Sequence, residues 1–147
     1  MLIKNLEERK EFIKHPRYDE NAFDLIFDGY ISFLRADGTV KFPIIDEQYL
    51  LKLLENGPIY AIVGFNFLNQ IPKFKFSKNG TDSTADPIEG SPGTHVVIIS
   101  GYKGGKFKIT DSDPKYGGQR WITPGHLIGA IYLAETDFDP LLITLQR

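Results

Sequence analysis

Residues 93–111 read GTHVVIISGYKGGKFKITD, and this segment decides how the second half of the chain folds. Two apolar runs, 95–100 and 106–110, flank the sequence KGGK, whose Gly104-Gly105 pair favours a tight hairpin turn. Such a hairpin places the start of its first strand beside the end of its second strand. His95 and Asp111 occupy those two ends, so we expect their side chains to be neighbours.

A carboxylate beside an imidazole is the orienting half of a nucleophilic triad, because it holds one ring nitrogen and leaves the other free to take a proton. Simpler roles are also open. A histidine that begins an apolar strand is usually structural, and Asp111 also suits an Asx-turn. No nucleophile is evident, since the chain has no cysteine and no G-x-S-x-G sequence.

Working outward, the periodicity predicts three helices followed by antiparallel strands, which is an α+β fold. The helices cover 2–14, the segment from an Asp19 or Asn21 cap to Asp37, and 46–57. The strands cover 59–65, 95–100, 106–110, 119–122, 130–134 and 141–145, with Thr123 and Pro124 starting a short helix at 125–128. Only the Phe74/Phe76 alternation suggests a strand within 68–92. Five aromatic residues are expected in the core, Trp121, Phe65, Phe67, Phe74 and Phe76, although Phe67 and Phe74 flank the long loop and also suit the lining of a cleft.

Length and composition indicate one domain over residues 1–147 and exclude several classes of protein. The apolar runs are far shorter than a bilayer span, so we expect no membrane segment. Seventeen basic and 19 acidic residues give a net charge of −2 without a basic block, so we expect no nucleic-acid partner. His15, His95 and His126 lack ligand spacing, so no metal or other cofactor is expected. The N-terminus lacks the pattern of a signal peptide, which predicts a cytoplasmic location.

Three motifs occur in a defined order along the chain: NGP at 56–58 before a strand, HVVIISGY at 95–102, and ITDSDP at 109–114. This set resembles the C-terminal half of the C39-like cysteine peptidases, which are papain-like enzymes. In that family a G-P followed by a strand, an H-x-V-V-x-x-G-Y strand and a strand ending in D-P recur in this order. The resemblance covers about 46–121.

The resemblance implies a papain-like architecture, in which N-terminal helices pack on an antiparallel half-barrel. It implies His95 as the general base and Asp111 as its orienter, with Asp113, which precedes Pro114, as the alternative orienter. The implied activity is cysteine-dependent hydrolysis of a peptide or protein substrate. Those enzymes carry the cysteine at the start of a central helix with a Gln shortly before it, and neither element has a counterpart here.

We therefore expect an inactive form of a C39-like domain, and three origins remain open. The chain is a portion of a longer domain whose cysteine-bearing helix lies elsewhere, a natural pseudo-enzyme, or a form in which a cysteine was replaced, with Ala22 as the candidate position. Other classes of function also remain: a peptide-binding module that uses the degenerate cleft, and a structural α+β protein. Absence of the central helix predicts a homodimer or an N-terminal partner segment beside His95.

Overall fold

A computed structural model of the chain describes residues 2–12, 20–78, 82–134 and 140–145. These residues divide into two compact units, 1–43 and 44–147, which are described separately. The prediction of one domain over 1–147 stays a prediction. In the described ranges, no helix has both the length and the apolar character needed to cross a membrane.

The first unit contains two helices, α1 (Leu2–Phe12) and α2 (Glu20–Arg35). Both predicted helices are confirmed, although the candidate cap Asp19 and the region of His15 lie outside the described residues. Ion pairs between described residues join the helices: Lys10 Nζ lies 2.8 Å from Asp28 Oδ1 and 3.9 Å from Asp24 Oδ1, and Arg35 Nη2 lies 2.6 Å from Glu7 Oε1.

The second unit is α+β, as the sequence predicts, and its strands pair antiparallel throughout. A five-stranded sheet has the order β6-β5-β4-β1-β7, and β2 and β3 form a separate hairpin. The elements are α3 (Glu47–Leu54), β1 (Ile59–Gly64), α4 (Phe65–Asn69), β2 (Phe74–Phe76), β3 (Ser83–Ala85), β4 (Thr94–Lys103), β5 (Lys106–Asp111), β6 (Gly118–Ile122), α5 (Pro124–Tyr132) and β7 (Leu142–Thr144).

Local sequence explains the start of α3 and the turn between β4 and β5. Asp46 caps α3, because its Oδ1 accepts the backbone N–H of Tyr49 at 2.7 Å. The turn is made by Gly104 and Gly105, whose φ values of 57° and 73° are both positive. A two-residue hairpin turn of this hand needs positive φ at both positions, which glycine adopts without a steric penalty.

The two faces of the large sheet differ in burial. Alternate residues of β1, β4, β5 and β6 form one core with side chains from α3, α4 and α5; its members are Ile45, Leu50, Ile59, Ala61, Val63, Leu68, Val97, Ile99, Phe107, Ile109, Ile122, Leu127, Ala130 and Ile131. We call this side the inner face. The opposite, outer face exposes four large side chains, Tyr60, Val96, Trp121 and Ile143.

One predicted strand is wrong, because 130–132 belong to α5 and no strand covers 130–134. The buried positions Leu127, Ala130, Ile131 and Ala134 follow the spacing of one helix face, whereas the short apolar run by itself also fits a strand. Thr123 and Pro124 begin the helix as predicted, but the Thr123 side chain makes no capping bond.

Three other features were not predicted. Phe65 begins α4 instead of ending β1, and β3 pairs with β2 to form a hairpin within the 68–92 connection. Of the five aromatic residues expected in the core, Trp121, Phe67 and Phe76 are 47%, 44% and 63% exposed, and Phe65 and Phe74 are partly buried. Trp121 and Phe76 lie in strands, and alternation in a strand assigns residues to two faces without showing which face is covered.

Candidate functional site

His95 and Asp111 lie on the inner face of the sheet, on the neighbouring strands β4 and β5. The strand register pairs Val97 with Asp111, so His95, two residues before Val97, is a diagonal neighbour of Asp111 on the same face. His95 Nε2 lies 2.7 Å from Asp111 Oδ1. The predicted contact between the two side chains is therefore confirmed.

The geometry defines which ring nitrogen of His95 is engaged. An ionised carboxylate only accepts hydrogen bonds, so Nε2 carries the proton that it donates to Asp111. Nδ1 is left with a lone pair, and it has no hydrogen-bond partner within the part of the chain that the structure describes. In the serine-protease triad the carboxylate holds Nδ1 and Nε2 faces the nucleophile. In this chain the two nitrogens have the opposite roles: Nε2 bonds to the carboxylate, and Nδ1 is the nitrogen that a nucleophile would face.

The two side chains of the pair differ in their exposure to solvent. The Asp111 side chain is 0% exposed, whereas the His95 side chain is 24% exposed. The carboxylate is thus sealed in the protein, while the imidazole reaches the surface. This arrangement can fix an imidazole and present it to a molecule that arrives from solvent.

The hydrogen-bond partner of His95 is Asp111, and the Asp113 carboxylate bonds instead to backbone groups of its own turn. Its Oδ1 accepts the backbone N–H groups of Lys115 at 2.9 Å and Tyr116 at 2.7 Å. The hydrogen bond from the Tyr116 N–H is the main cause that lowers the pKa of Asp113 below its usual value. Desolvation opposes the shift, whereas the Lys115 N–H, the Lys115 charge and the His95 ring in its protonated form favour it. The N–H of Asp113 donates to Asp111 Oδ1 at 2.9 Å, which is the predicted Asx-turn.

Two residues that sequence reasoning missed complete the surroundings of Asp111. Arg120 of β6 donates through Nη2 to Asp111 Oδ2 at 3.3 Å and to Asn69 Oδ1 at 2.7 Å. Its Nη1 donates to the backbone oxygen of Tyr116. An Arg flanked by Gln119 and Trp121 in a short strand carries no sequence signal for such a role.

One aromatic ring of α4 packs on the imidazole, and a second ring packs on the first. The Phe65 ring meets the His95 ring edge to face at a centroid distance of 5.4 Å, and the Tyr116 ring meets Phe65 at 5.8 Å. The Asn69 side-chain amide donates to the Phe65 backbone oxygen at 3.1 Å. Phe65 is therefore held in place against His95.

Asn66 fixes the segment that leads into β4. Its Oδ1 accepts the N–H of Gly93 at 2.6 Å, and its Nδ2 donates to the backbone oxygen of Pro72 at 2.6 Å. The backbone N–H of Phe65 donates to the Gly93 oxygen at 2.7 Å. These bonds tie the residues just before His95 to the first turn of α4, and Asn66 was not identified from the sequence.

The other candidate residues lie apart from this pair or have no described side chain. His126 is on α5, where its Nε2 bonds to the backbone oxygen of Phe67 at 3.0 Å. Ala22 lies in α2, but its side chain is outside the described part of the structure. Across 2–12, 20–78, 82–134 and 140–145, no group of three or more His, Asp or Glu side chains could hold a metal ion.

No protein-family model, no curated protein and no solved structure matches this chain. Function is therefore inferred from the residues of the site and from the motif order in the sequence.

Proposed function

We propose that this chain is an inactive form of a C39-like cysteine peptidase domain, with a papain-like fold, that retains the base and its orienter without the nucleophile. The observation that carries the proposal is the 2.7 Å bond between His95 Nε2 and the fully buried Asp111 carboxylate. The motif order along the sequence and the antiparallel sheet behind His95 support the same assignment.

The roles follow from the two ring nitrogens. In cysteine-dependent acyl transfer a thiol loses its proton to an imidazole, the thiolate attacks the carbonyl carbon, and the imidazolium returns the proton to the leaving amine. Nδ1 of His95 is the nitrogen available for this transfer. Asp111 keeps the ring oriented and stabilises its charged form. The 147 residues contain no cysteine, so the chain itself supplies no thiolate.

The second candidate is a peptide-binding module, and the aromatic residues near His95 favour it. Phe65 lies beside a partly exposed imidazole and Tyr116 packs on Phe65, while Phe67, which is on the same short helix as Phe65, is 44% exposed. Aromatic rings with a nearby polar group are common at peptide-binding surfaces. A structural α+β protein is the third candidate, in which the His95–Asp111 bond only joins β4 to β5.

The chemical competence of His95 can be tested because the chain has no thiol of its own. Phe65→Cys introduces a single thiol at the position that packs on His95. Phe67→Cys is a matched control, since Phe67 lies on the same helix and meets the His126 ring at the same 5.4 Å centroid distance. Alkylation by iodoacetamide is followed against pH, because the rate reports the thiolate fraction.

We expect the thiol at position 65 to reach half-maximal reactivity at least about one pH unit lower than the thiol at position 67, because an oriented imidazole stabilises the thiolate. Asp111→Asn in the Phe65→Cys background should abolish most of that difference. Equal profiles for the two thiols, unaffected by Asp111→Asn, would contradict the proposal and favour the structural candidate. Circular dichroism shows whether each variant is folded.

The peptide-binding candidate has its own test. Extended synthetic peptides are added to the isotope-labelled chain, and amide shifts are followed by NMR. Shifts that cluster at Phe65, His95 and Tyr116, with no cleavage of the peptide, support a binding module. Peptide cleavage that persists through purification and disappears in His95→Ala would instead require a serine or threonine nucleophile.

A further inference from the structure

Arg120 belongs to a network of hydrogen bonds and ring contacts that surrounds His95. Its Nη2 contacts Asp111 Oδ2 and Asn69 Oδ1, and Asp111 Oδ1 accepts the proton of His95 Nε2. Asn69 binds the Phe65 backbone oxygen, and the Phe65 ring packs against the His95 ring. The imidazole is thus held by two contacts, the Nε2 hydrogen bond to Asp111 and the packing of Phe65 on its ring. Arg120 supports the first contact directly and the second through Asn69.

The charges around His95 give Arg120 a second effect. Asp111 on β5 and Asp113 in the following turn both place carboxylates near the imidazole, and α4 contributes only the uncharged Phe65, Asn66 and Asn69. Two nearby carboxylates favour the protonated ring, which has no lone pair left to accept a proton. Arg120 approaches Asp111 from β6, on the carboxylate oxygen that His95 does not use, and balances that charge.

We propose that Arg120 is a positioning residue for His95: it neutralises Asp111 and keeps the imidazole in the form that can accept a proton at Nδ1. Asn69 holds the guanidinium in the required place. The proposal rests on the proposed function, which assigns His95 as the retained base of a C39-like site. It assigns a role to a residue outside the His-Asp pair.

The test is an NMR titration of the His95 ring in the intact chain. In Arg120→Gln we expect the midpoint of the His95 titration to rise by about one pH unit, which is the usual effect of a single nearby charge. Arg120→Lys should restore most of the wild-type midpoint, because it restores the charge. Lys115→Gln removes the same charge from an exposed neighbour of the site and should move the midpoint less.

His126 serves as an internal reference in the same spectra, because it lies on α5 and bonds to a backbone oxygen. Asn69→Ala provides a second route if Arg120→Gln does not fold, since it loosens the guanidinium without removing it. A smaller upward shift of the His95 midpoint is then expected. Nitrogen-15 shifts of the ring should show the proton on Nε2 in the neutral form of every folded variant.

An unchanged or lowered His95 midpoint in folded Arg120→Gln, or in Asn69→Ala where Arg120→Gln is unfolded, would overturn the proposal. An Arg120 that only stabilises the fold would lower the unfolding temperature and leave the midpoint in place. The titration uses neither peptide nor thiol. Its result therefore does not depend on the alkylation test at position 65. The proposed role of Arg120 and the proposed function can each be contradicted without the other.

Discussion

Asp111 is at the centre of the site, since its buried carboxylate accepts hydrogen bonds from His95, Arg120 and the Asp113 backbone N–H. We expect Asp111→Ala to lower the free energy of unfolding by about 2–3 kcal/mol. This is less than the 3–5 kcal/mol typical of breaking a fully buried pair, because the partners of Asp111, His95 and Arg120, are both partly exposed. Urea denaturation at pH 7 measures the change.

The control for this substitution is Ser112→Ala, at the exposed neighbour of Asp111. It should change the free energy of unfolding by no more than about 0.5 kcal/mol. A loss of under about 1 kcal/mol for Asp111→Ala would mean that solvent reaches the carboxylate and that the pair is not sealed as the structure has it.

Asp113 gives a prediction about acid. Because hydrogen bonding from Tyr116 lowers its pKa in the folded chain, the charged form contributes stability above the unfolded value of about 4. That contribution is lost as pH falls through the lower folded value. Asp113→Asn keeps an accepting oxygen without the charge, so wild type should be more stable than the variant at pH 7 and lose this advantage toward pH 3.

Urea denaturation of both proteins at pH 7, 5, 4 and 3 checks the prediction for Asp113. A difference in stability between wild type and Asp113→Asn that stays constant over this range would show that the carboxylate has no depressed pKa.

The sequence allowed the pair to be predicted but not its support. His95 and Asp111 are 16 residues apart at the two ends of one hairpin, so a local turn is enough to place them together. Arg120 and Asn69 reach the same point from β6 and from α4, and they are 51 residues apart. Contacts across such a separation depend on the packing of whole elements, which local patterns do not encode.

At the level of elements, the junction between β1 and α4 packs closely on the end of α5. A Cβ added at Gly64 would overlap the backbone oxygen of Leu133, and a backbone group cannot move aside as a flexible side chain can. We expect Gly64→Ala to destabilise the chain by about 1–3 kcal/mol, as overpacking commonly does. Thermal unfolding followed by circular dichroism measures the effect.

Gly125 provides the matched control, because it lies in α5 and a Cβ there meets nothing within 4 Å. Gly125→Ala should leave stability unchanged or raise it by up to about 1 kcal/mol, since alanine favours the helix. If both substitutions have the same effect, the close approach of Leu133 to β1 does not limit stability.

Elements with strong local signals were predictable, and those set by packing were not. The Asp46 cap and the glycine pair at 104–105 each specify a boundary chemically. The apolar run from Leu127 to Leu133 fits a buried helix or a buried strand equally well. In the folded chain it forms a helix, whose apolar face packs on the sheet. The five-residue α4 has no capping side chain from which its start could be predicted.

At the level of the whole molecule, the core belongs to the second unit. Among the described residues, the 14 buried members of this core lie between Ile45 and Ile131, and the Tyr132 hydroxyl accepts the backbone N–H of Ile45. We expect residues 44–147 alone to fold with the same sheet and to keep the His95–Asp111 bond. Circular dichroism and the NMR signals of the His95 ring, compared with those of the 147-residue chain, check this. An unfolded 44–147 chain would favour one domain over 1–147.

The partner predicted from the sequence, a second copy or an N-terminal segment beside His95, stays a prediction. Light scattering at several concentrations checks the homodimer, with a mass above one chain as the expected outcome. A mass of one chain at every concentration would contradict the homodimer and favour a chain that closes its own core.

The turn at Gly104 and Gly105 also bears on the order in which the molecule assembles. Hairpins close within about 1–10 μs, whereas pairing between distant segments is slower because a long loop must first be ordered. His95 and Asp111 belong to one such hairpin, while β7 must return across most of the second unit to pair with β1. The two residues of the pair can therefore meet early in folding, before β7 joins the sheet.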